Sequence, residues 1–493
     1  MLAPRPTPEQ DAAVTAFGTG EHLVLQAGAG TGKTTTLAML SASTPRRGLY
    51  IAFNKSIAQQ AGRKFPPNVK CKTVHALAYA AVGHHYAERL HAPRISSVKT
   101  GASLGINMEV ALGDRKVTAG ALSYMALDTV SRFCHSADRT IGRQHVPWLR
   151  GIAEHHLHDQ LVDIVLPFAQ RAWVDVQKRD RGKVRFTHDH YLKMWALTEP
   201  RISTDFLLLD EAQDTNPVVE QVFSAQRGHA QLVMVGDSAQ AIYGWRGARD
   251  VMTGFDGTHL TLSHSFRFGE HLASEANRWL AIANAPIRLT GSPAVRTTLE
   301  KVTDPDAILC RTNAGTMEEV MSLLEAGRRV ALVGGGKTLT ALAYAARDLK
   351  AGKRTFHPEL LLFSSWGELQ DYAESDQAGR DLLPLVELID KHGVDVILDT
   401  VSRLSDEASA EITVSTAHKA KGREWSSVRI AEDFPEPEDP ENLDAMGEPL
   451  PGEIDQAEAR LAYVAVTRAQ RRLDLGGLSW INRHPDGNPI SWH

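Results

Sequence analysis

Cysteine is scarce in this chain of 493 residues: Cys71, Cys134 and Cys310 are too few and too scattered for a disulfide framework, a four-cysteine zinc site or an iron–sulfur cluster. They read as buried, reduced thiols of an intracellular protein. Long apolar runs are missing too. Nothing approaches the ~20 residues that cross a bilayer, and the opening Met-Leu-Ala-Pro-Arg-Pro-Thr-Pro has no secretory hydrophobic core. A membrane partner is therefore not expected. Nor is there an excess of charge of one sign. With 54 Lys and Arg against 59 Asp and Glu, the net charge is −5, which argues against coating duplex DNA by bulk charge but leaves room for a narrow basic groove. What remains is an ordinary globular composition, 43% hydrophobic and 23% charged, at a length that suggests three or four domains.

Short apolar runs that read as buried strands recur at His22–Ala27, Leu49–Phe53, Phe206–Leu209, Leu232–Val235, His259–Leu262, Ala307–Cys310, Ile412–Ser415 and Val428–Ala431. Helical patterns separate them, which predicts an α/β protein with two parallel-sheet cores. Two mostly helical stretches interrupt the alternation. The expected organisation is a first core from residues 1–75 and 201–256, interrupted by a helical insertion at 76–200. The second core is expected from 257–338 and 412–493, with a reduced insertion at 339–411. Asp433–Gln456 is acidic, proline-containing and aperiodic, and reads as a solvated loop.

The strongest local signal is Leu-Val-Leu-Gln-Ala27-Gly28-Ala29-Gly30-Thr31-Gly32-Lys33-Thr34-Thr35. A strand feeding a turn of small residues and then a helix lets backbone N–H groups wrap phosphate oxygens at a helix N-terminus. Lys33 would reach the β and γ phosphates of ATP, and the Thr34 hydroxyl would bind Mg²⁺. A second match, Ala331-Leu332-Val333-Gly334-Gly335-Gly336-Lys337-Thr338, has bulky residues inside the turn and no acidic strand end of the right kind after it; it is expected to be idle. The first loop has its partner in Phe206-Leu207-Leu208-Leu209-Asp210-Glu211. Asp210 is placed to hold Mg²⁺, and Glu211 to orient and deprotonate the attacking water. Gln240, beyond the strand Leu232–Val235, is placed to sense the γ-phosphate or its water.

Further motifs carry a family resemblance. They are Thr7-Pro8-Glu9-Gln10, Gly236-Asp-Ser-Ala-Gln-Ala-Ile-Tyr-Gly-Trp-Arg-Gly-Ala248, Ser265-Phe266-Arg267, Thr416-Ala-His418-Lys-Ala-Lys421-Gly422-Arg-Glu424, and Arg460-Leu-Ala-Tyr-Val-Ala-Val-Thr-Arg468-Ala. Together with the nucleotide loop they run in order over nearly the whole chain, which resembles the UvrD/Rep branch of superfamily 1 helicases. Within that branch, Ala52-Phe53-Asn54-Lys55-Ser56, Cys71-Lys72-Thr73-Val74-His75 and Thr187-His188-Asp189-His190-Tyr191-Leu192-Lys193 look most like F-box DNA helicases. Too little chain precedes Gly28 for an F-box, so a ubiquitin-ligase role is not expected.

The resemblance implies roles. Gln10 would read the adenine edge and Phe266 pack on the base. Arg267 and Arg468 would stabilise charge on the γ-phosphate from the second core, with Gly422 and Glu424 at the same cleft. Single-stranded DNA and single-strand/duplex junctions are the implied partners, with 3′→5′ movement. Phe53, Tyr243 and Trp245 are candidate stacking platforms. Asn54, Lys55, Thr73, His75, Arg246, His418 and Lys421 are candidate polar or phosphate contacts. The basic run Arg171–Arg185, with Trp173, is a candidate contact with strand or duplex. Two rivals stand beside a helicase: a translocase that strips recombinase filaments from DNA, and a motor subunit of a nuclease or defence complex. The expected location is cytoplasmic, or nuclear in a eukaryotic host.

Overall fold

A computed structural model describes residues 5–52, 54–93, 95–113, 115–152, 154–242, 250–375 and 382–487. Among them, two six-stranded sheets organise the α/β fold. The first contains β1 (Leu23–Ala27), β2 (Gly48–Ala52), β3 (Val69–Thr73), β4 (Phe206–Leu209), β5 (Gln231–Gly236) and β6 (Thr258–Leu262). Its strand order is β3-β2-β4-β5-β1-β6, and every pair is parallel. Strands β4 and β5 are buried along their whole length, which is why they read as unbroken apolar runs: a parallel sheet is covered by helices on both faces.

The second sheet contains β7 (Thr298–Leu299), β8 (Ala307–Cys310), β9 (Val330–Leu332), β10 (Ile412–Thr416), β11 (Trp425–Ile430) and β12 (Ala469–Asp474). It is parallel too, in the order β9-β10-β8-β11-β12-β7.

Two expectations about the organisation need correction. The division placed at 256/257 falls too early, because Thr258–Leu262 pairs along its whole length with Leu23–Ala27 and closes the edge of the first sheet. An edge strand with one covered face alternates in burial, and alternation alone does not say which sheet will take it. The chain crosses to the second core after this strand: helix Glu270–Ile282 shares its apolar cluster with helix Gln456–Val466 and strands β8 and β11. The helices at 339–411 are likewise not a unit apart. Leu339, Leu342, Trp366, Ile389 and Ile397 share one apolar cluster with Ile308, Leu332 and Val414 of the second sheet.

The first helical stretch does build a cluster of its own around helices Ala119–His135 and His155–Val176. Leu361 joins that cluster, and Arg115 Nη1 meets Glu368 at 2.9 Å, so the two helical stretches touch. No helix among the described residues is long and apolar enough to cross a membrane.

Trp279 anchors the second core. It is 1% exposed, its indole donates to Glu275 Oε1 at 2.9 Å, and its ring meets Trp480 edge-on. Trp279→Ala should cost about 3–5 kcal/mol, read as a lowered thermal unfolding temperature with all activities reduced together.

Candidate active site

The nucleotide loop leaves β1 at Ala27 and reaches helix Lys33–Ala42 through Gly28–Gly32. Gly30 is left-handed (φ +76°), and a Cβ there would lie 2.6 Å from both Ser265 Oγ and Arg267 Cβ; glycine alone permits this approach. Thr31 Oγ1 donates to Gly28 O at 3.0 Å and stiffens the turn. Gly32 caps the helix without a side-chain hydrogen bond. That leaves first-turn N–H groups open to an anion, the condition for phosphate binding.

Strand β4 delivers the carboxylates. Glu211 adopts a left-handed backbone (φ +53°), a strained choice for a residue with a side chain, and the two acids have separate partners. Asp210 Oδ2 accepts from Thr34 Oγ1 at 3.0 Å and from Tyr50 OH at 2.6 Å. Glu211 Oε2 meets Lys33 Nζ at 3.1 Å and accepts from Gln213 Nε2 at 2.7 Å. Burial and the neighbouring Glu211 push the Asp210 carboxyl up. Burial pushes Glu211 the same way, but Lys33, Gln213 and Lys421 outweigh it and hold Glu211 at about 2. Lys33 pays a burial penalty that Glu211, Asp237 and Asp210 overcome, so its ammonium is held above its ordinary value. The rule is that desolvation disfavours charge and opposite neighbours restore it.

The facing wall brings in Gln240, Arg267, Lys421, Gly422, Glu424 and Arg468. They close a cavity of about 600 Å³ against the loop, room for a triphosphate. Arg267 Nε lies 2.7 Å from Glu424 Oε2, and Arg267 Nη1 donates to Thr467 O at 3.0 Å. The assignment of Arg267 to the second core is corrected here. Its neighbour Phe266 donates its N–H to Gly30 O at 2.9 Å, so Arg267 follows the edge of the first sheet and reaches across. Arg468, on the second core, is 1% exposed and donates to Gln240 Oε1 at 3.3 Å. Burial and the nearby Arg267 lower its pKa to about 9.

At the mouth, Gln10 sits in a capping box with Thr7 and donates to Thr36 Oγ1 at 3.1 Å. Both its Nε2 and the ring of Phe266, 43% exposed, lie beside Gly32. Thr35 also lines the cavity. Thr34 and Asp210 supply the hydroxyl and carboxylate oxygens that suit Mg²⁺.

Sequence reasoning missed a buried bridge between the two cores. Tyr463 accepts from the Ala29 N–H of the loop at 3.0 Å and donates to Asp237 Oδ2 at 2.9 Å. Asp237 also accepts from Gln240 Nε2 at 2.6 Å. Both residues lay inside quoted motifs, but nothing in their spacing said that they meet. Lys421, expected on the strand side, is placed in the cleft instead: it is half-buried, pairs with Asp214 at 2.7 Å and donates to Gln240 O.

Of the strand candidates, Asn54, Lys55, Thr73 and His75 lie at or just past the adjacent ends of the paired strands β2 and β3. Asn54 caps helix Lys55–Ala61 by accepting from Ile57 N at 2.9 Å and also lines the cavity, and Lys55 opens that helix, exposed. Thr73 caps helix Val74–Ala81 by accepting from Ala76 N. His75 meets Asp189 at 3.2 Å. His418 is half-buried in helix Ala417–Ala420. Phe53, Tyr243, Trp245 and Arg246 lie outside the described residues.

The second match has the outline of a nucleotide loop in a different setting. Val330–Leu332 is an edge strand and Lys337 opens a helix, but Gly335 N–H closes a tight turn onto Leu332 O at 2.8 Å. Lys337 and Thr338 point to solvent, and the neighbouring β10 ends in Ser415-Thr416, without a carboxylate.

Comparison with known proteins matches this arrangement. An AAA domain model covers residues 10–246, and a model of the UvrD-like helicase C-terminal domain covers 361–479. The chain belongs to the UvrD-like helicases. It is 31% identical to F-box DNA helicase protein 1 of Schizosaccharomyces pombe, over 92% of this chain and 55% of that one. It is 30% identical to F-box DNA helicase 1 of Gallus gallus, over 92% of this chain and 47% of that one. The chain spans about half the length of these relatives. A shorter stretch, 24% of this chain and 10% of the other, is 27% identical to an ATP-dependent helicase/nuclease component of Syntrophomonas wolfei.

Lys33→Ala should abolish ATP hydrolysis, whereas Lys337→Ala should keep most of it. Equal loss in both folded variants would put a second nucleotide site at Lys337. Tyr463→Phe removes one oxygen and orphans the Ala29 N–H, at a cost of about 1–3 kcal/mol. Hydrolysis should fall severalfold while the unfolding temperature drops only modestly. An unchanged rate would show the bridge to be idle.

Proposed function

We propose that this helicase hydrolyses ATP, with Mg²⁺, to move 3′→5′ along single-stranded DNA and open duplex ahead of it. The observation that carries the reading is the buried bridge. Ala29 of the nucleotide loop, Asp237 and Gln240 at the end of β5, and Tyr463 and Arg468 of the second core form one hydrogen-bonded chain. A ligand gripping one end must move the other.

The paired charges supply the chemistry. Lys33 exchanges Glu211 for the β and γ phosphates, and the released Glu211 carboxylate takes the proton of the attacking water. Arg267 leaves Glu424, and with Arg468 it meets the charge that spreads over the transferred phosphoryl group. Thr34 and Asp210 would hold Mg²⁺, which neutralises phosphate charge when bound. Closing the cleft and reopening it after hydrolysis is a hinge motion between packed cores.

The polarity rests on the family resemblance, and so do the single strand and the junction as substrates. A soluble location, cytoplasmic or nuclear, fits a DNA substrate. Hydrolysis should rise on adding single-stranded DNA, and 3′-tailed duplexes should open while 5′-tailed ones stay closed. Preferential opening of 5′-tailed substrates would reverse the polarity. Hydrolysis stimulated by strand without any unwinding, together with removal of recombinase from coated strand, would favour the protein-stripping alternative.

A further inference from the structure

Residues 178–185, Lys-Arg-Asp-Arg-Gly-Lys-Val-Arg, carry five basic side chains against one acid in a chain of net charge −5. A solvated charge run needs no support, yet this loop is held at several points. The buried Asp175 accepts from Lys183 N at 2.6 Å and Val184 N at 2.8 Å. Arg89 donates to Val176 O at 2.7 Å, to Val184 O at 2.6 Å and to Lys178 O. Tyr86 donates to Gln177 O at 3.0 Å and stacks on Phe186 at 4.4 Å between ring centres. Gly182 has no room for a side chain, since a Cβ would lie 2.4 Å from the guanidinium of Arg89, which those carbonyls fix in place.

While the backbone is pinned, the cations are left outward. Arg179, Arg181, Lys183 and Arg185 are all exposed and have no ion-pair partner among the described residues; only Lys178 is paired, with Asp175. Holding four like charges on a rigid loop costs repulsion that an anionic partner would offset. The loop also lacks what a single strand requires. Strand sites combine cations with aromatic faces on which bases stack. Here Tyr86 and Phe186 are buried against each other, and Trp173 is packed edge-on to Phe133. Cations without platforms suit a partner whose bases are already stacked inside.

We propose that the loop 178–185 is a docking surface for the phosphate backbone of duplex DNA, the arm beyond the strand that the motor grips. This rests on the DNA-motor reading above. Equilibrium binding to blunt duplex, to single strand and to 3′-tailed duplex, each over a range of salt, tests it. The variant is Arg179→Gln/Arg181→Gln/Lys183→Gln/Arg185→Gln, all exposed positions.

Blunt and tailed duplex should bind more weakly, with the salt exponent reduced by about 0.9 for each phosphate no longer neutralised, while single-strand affinity stays at the parent value. Replacing the three arginines by lysine should keep most of the duplex affinity, because charge rather than fork geometry holds the phosphates. Unchanged duplex affinity and salt exponent would overturn the proposal, and so would an equal loss on single strand. Failure of the motor reading is separate: the parent protein would then show no strand-stimulated hydrolysis, whatever its duplex binding.

Discussion

The Asp237 carboxylate is fully buried where the two cores meet, and a charge in that position must be matched on every side. Burial pushes it toward the neutral form, while Lys33, Gln240 and Tyr463 hold it back. Leaving a buried polar group without its partner costs about 1–3 kcal/mol, so the groups around Asp237 are tied to one arrangement. Tyr463 satisfies it from the second core, Gln240 from its own loop, and the same tyrosine accepts an N–H from the nucleotide loop. One oxygen network thus ties the loop to both cores, beside the Lys421–Asp214 pair and the Arg267–Thr467 contact.

The same logic runs through the cleft. Lys33 rests on Glu211, Arg267 near Glu424, and Lys421 on Asp214. Three of the cleft's cations are thus neutralised by carboxylates inside the protein, while Arg468 is held by neutral oxygens, among them Gln240 Oε1 and Val464 O. A triphosphate must exchange partners to bind. Exchange of one pairing for another is how a ligand gains different affinities for two conformations, and so drives a conformational change.

The first helical stretch is held to the strand region by short-range chemistry as well. Asp189, at the start of helix His188–Ala196, meets His75 at 3.2 Å and His135 at 3.5 Å. These contacts draw its carboxyl well below the usual range despite burial, which acts the other way. His75 lies two residues after β3, so this contact ties that strand end to the insertion that carries the basic loop.

Much of this was legible in the chain itself. The loop Gly28–Thr34 and the acids Asp210 and Glu211 are declared by fixed spacing, because backbone that wraps phosphate tolerates few residue types, whereas Arg267 and Arg468 of the facing wall were legible only through the family resemblance. The apolar runs of β1, β4, β5, β8 and β10 show that the sheets are parallel and covered, since alternation disappears when both faces are buried. The sequence could not assign Thr258–Leu262 to a sheet or draw the helices of 339–411 onto the second core: hydrophobic period tells a segment to bury a face, not against what. It could not pair Tyr463 with Asp237 and Ala29, 226 and 434 residues away. Nor could it tell an ordinary basic run from a pinned one, because the pinning groups Arg89 and Asp175 are far apart in the chain. Local spacing determined which chemistry is present; the packing of one core on the other decided which groups share it, because a buried charge is satisfied by whatever lies beside it in space.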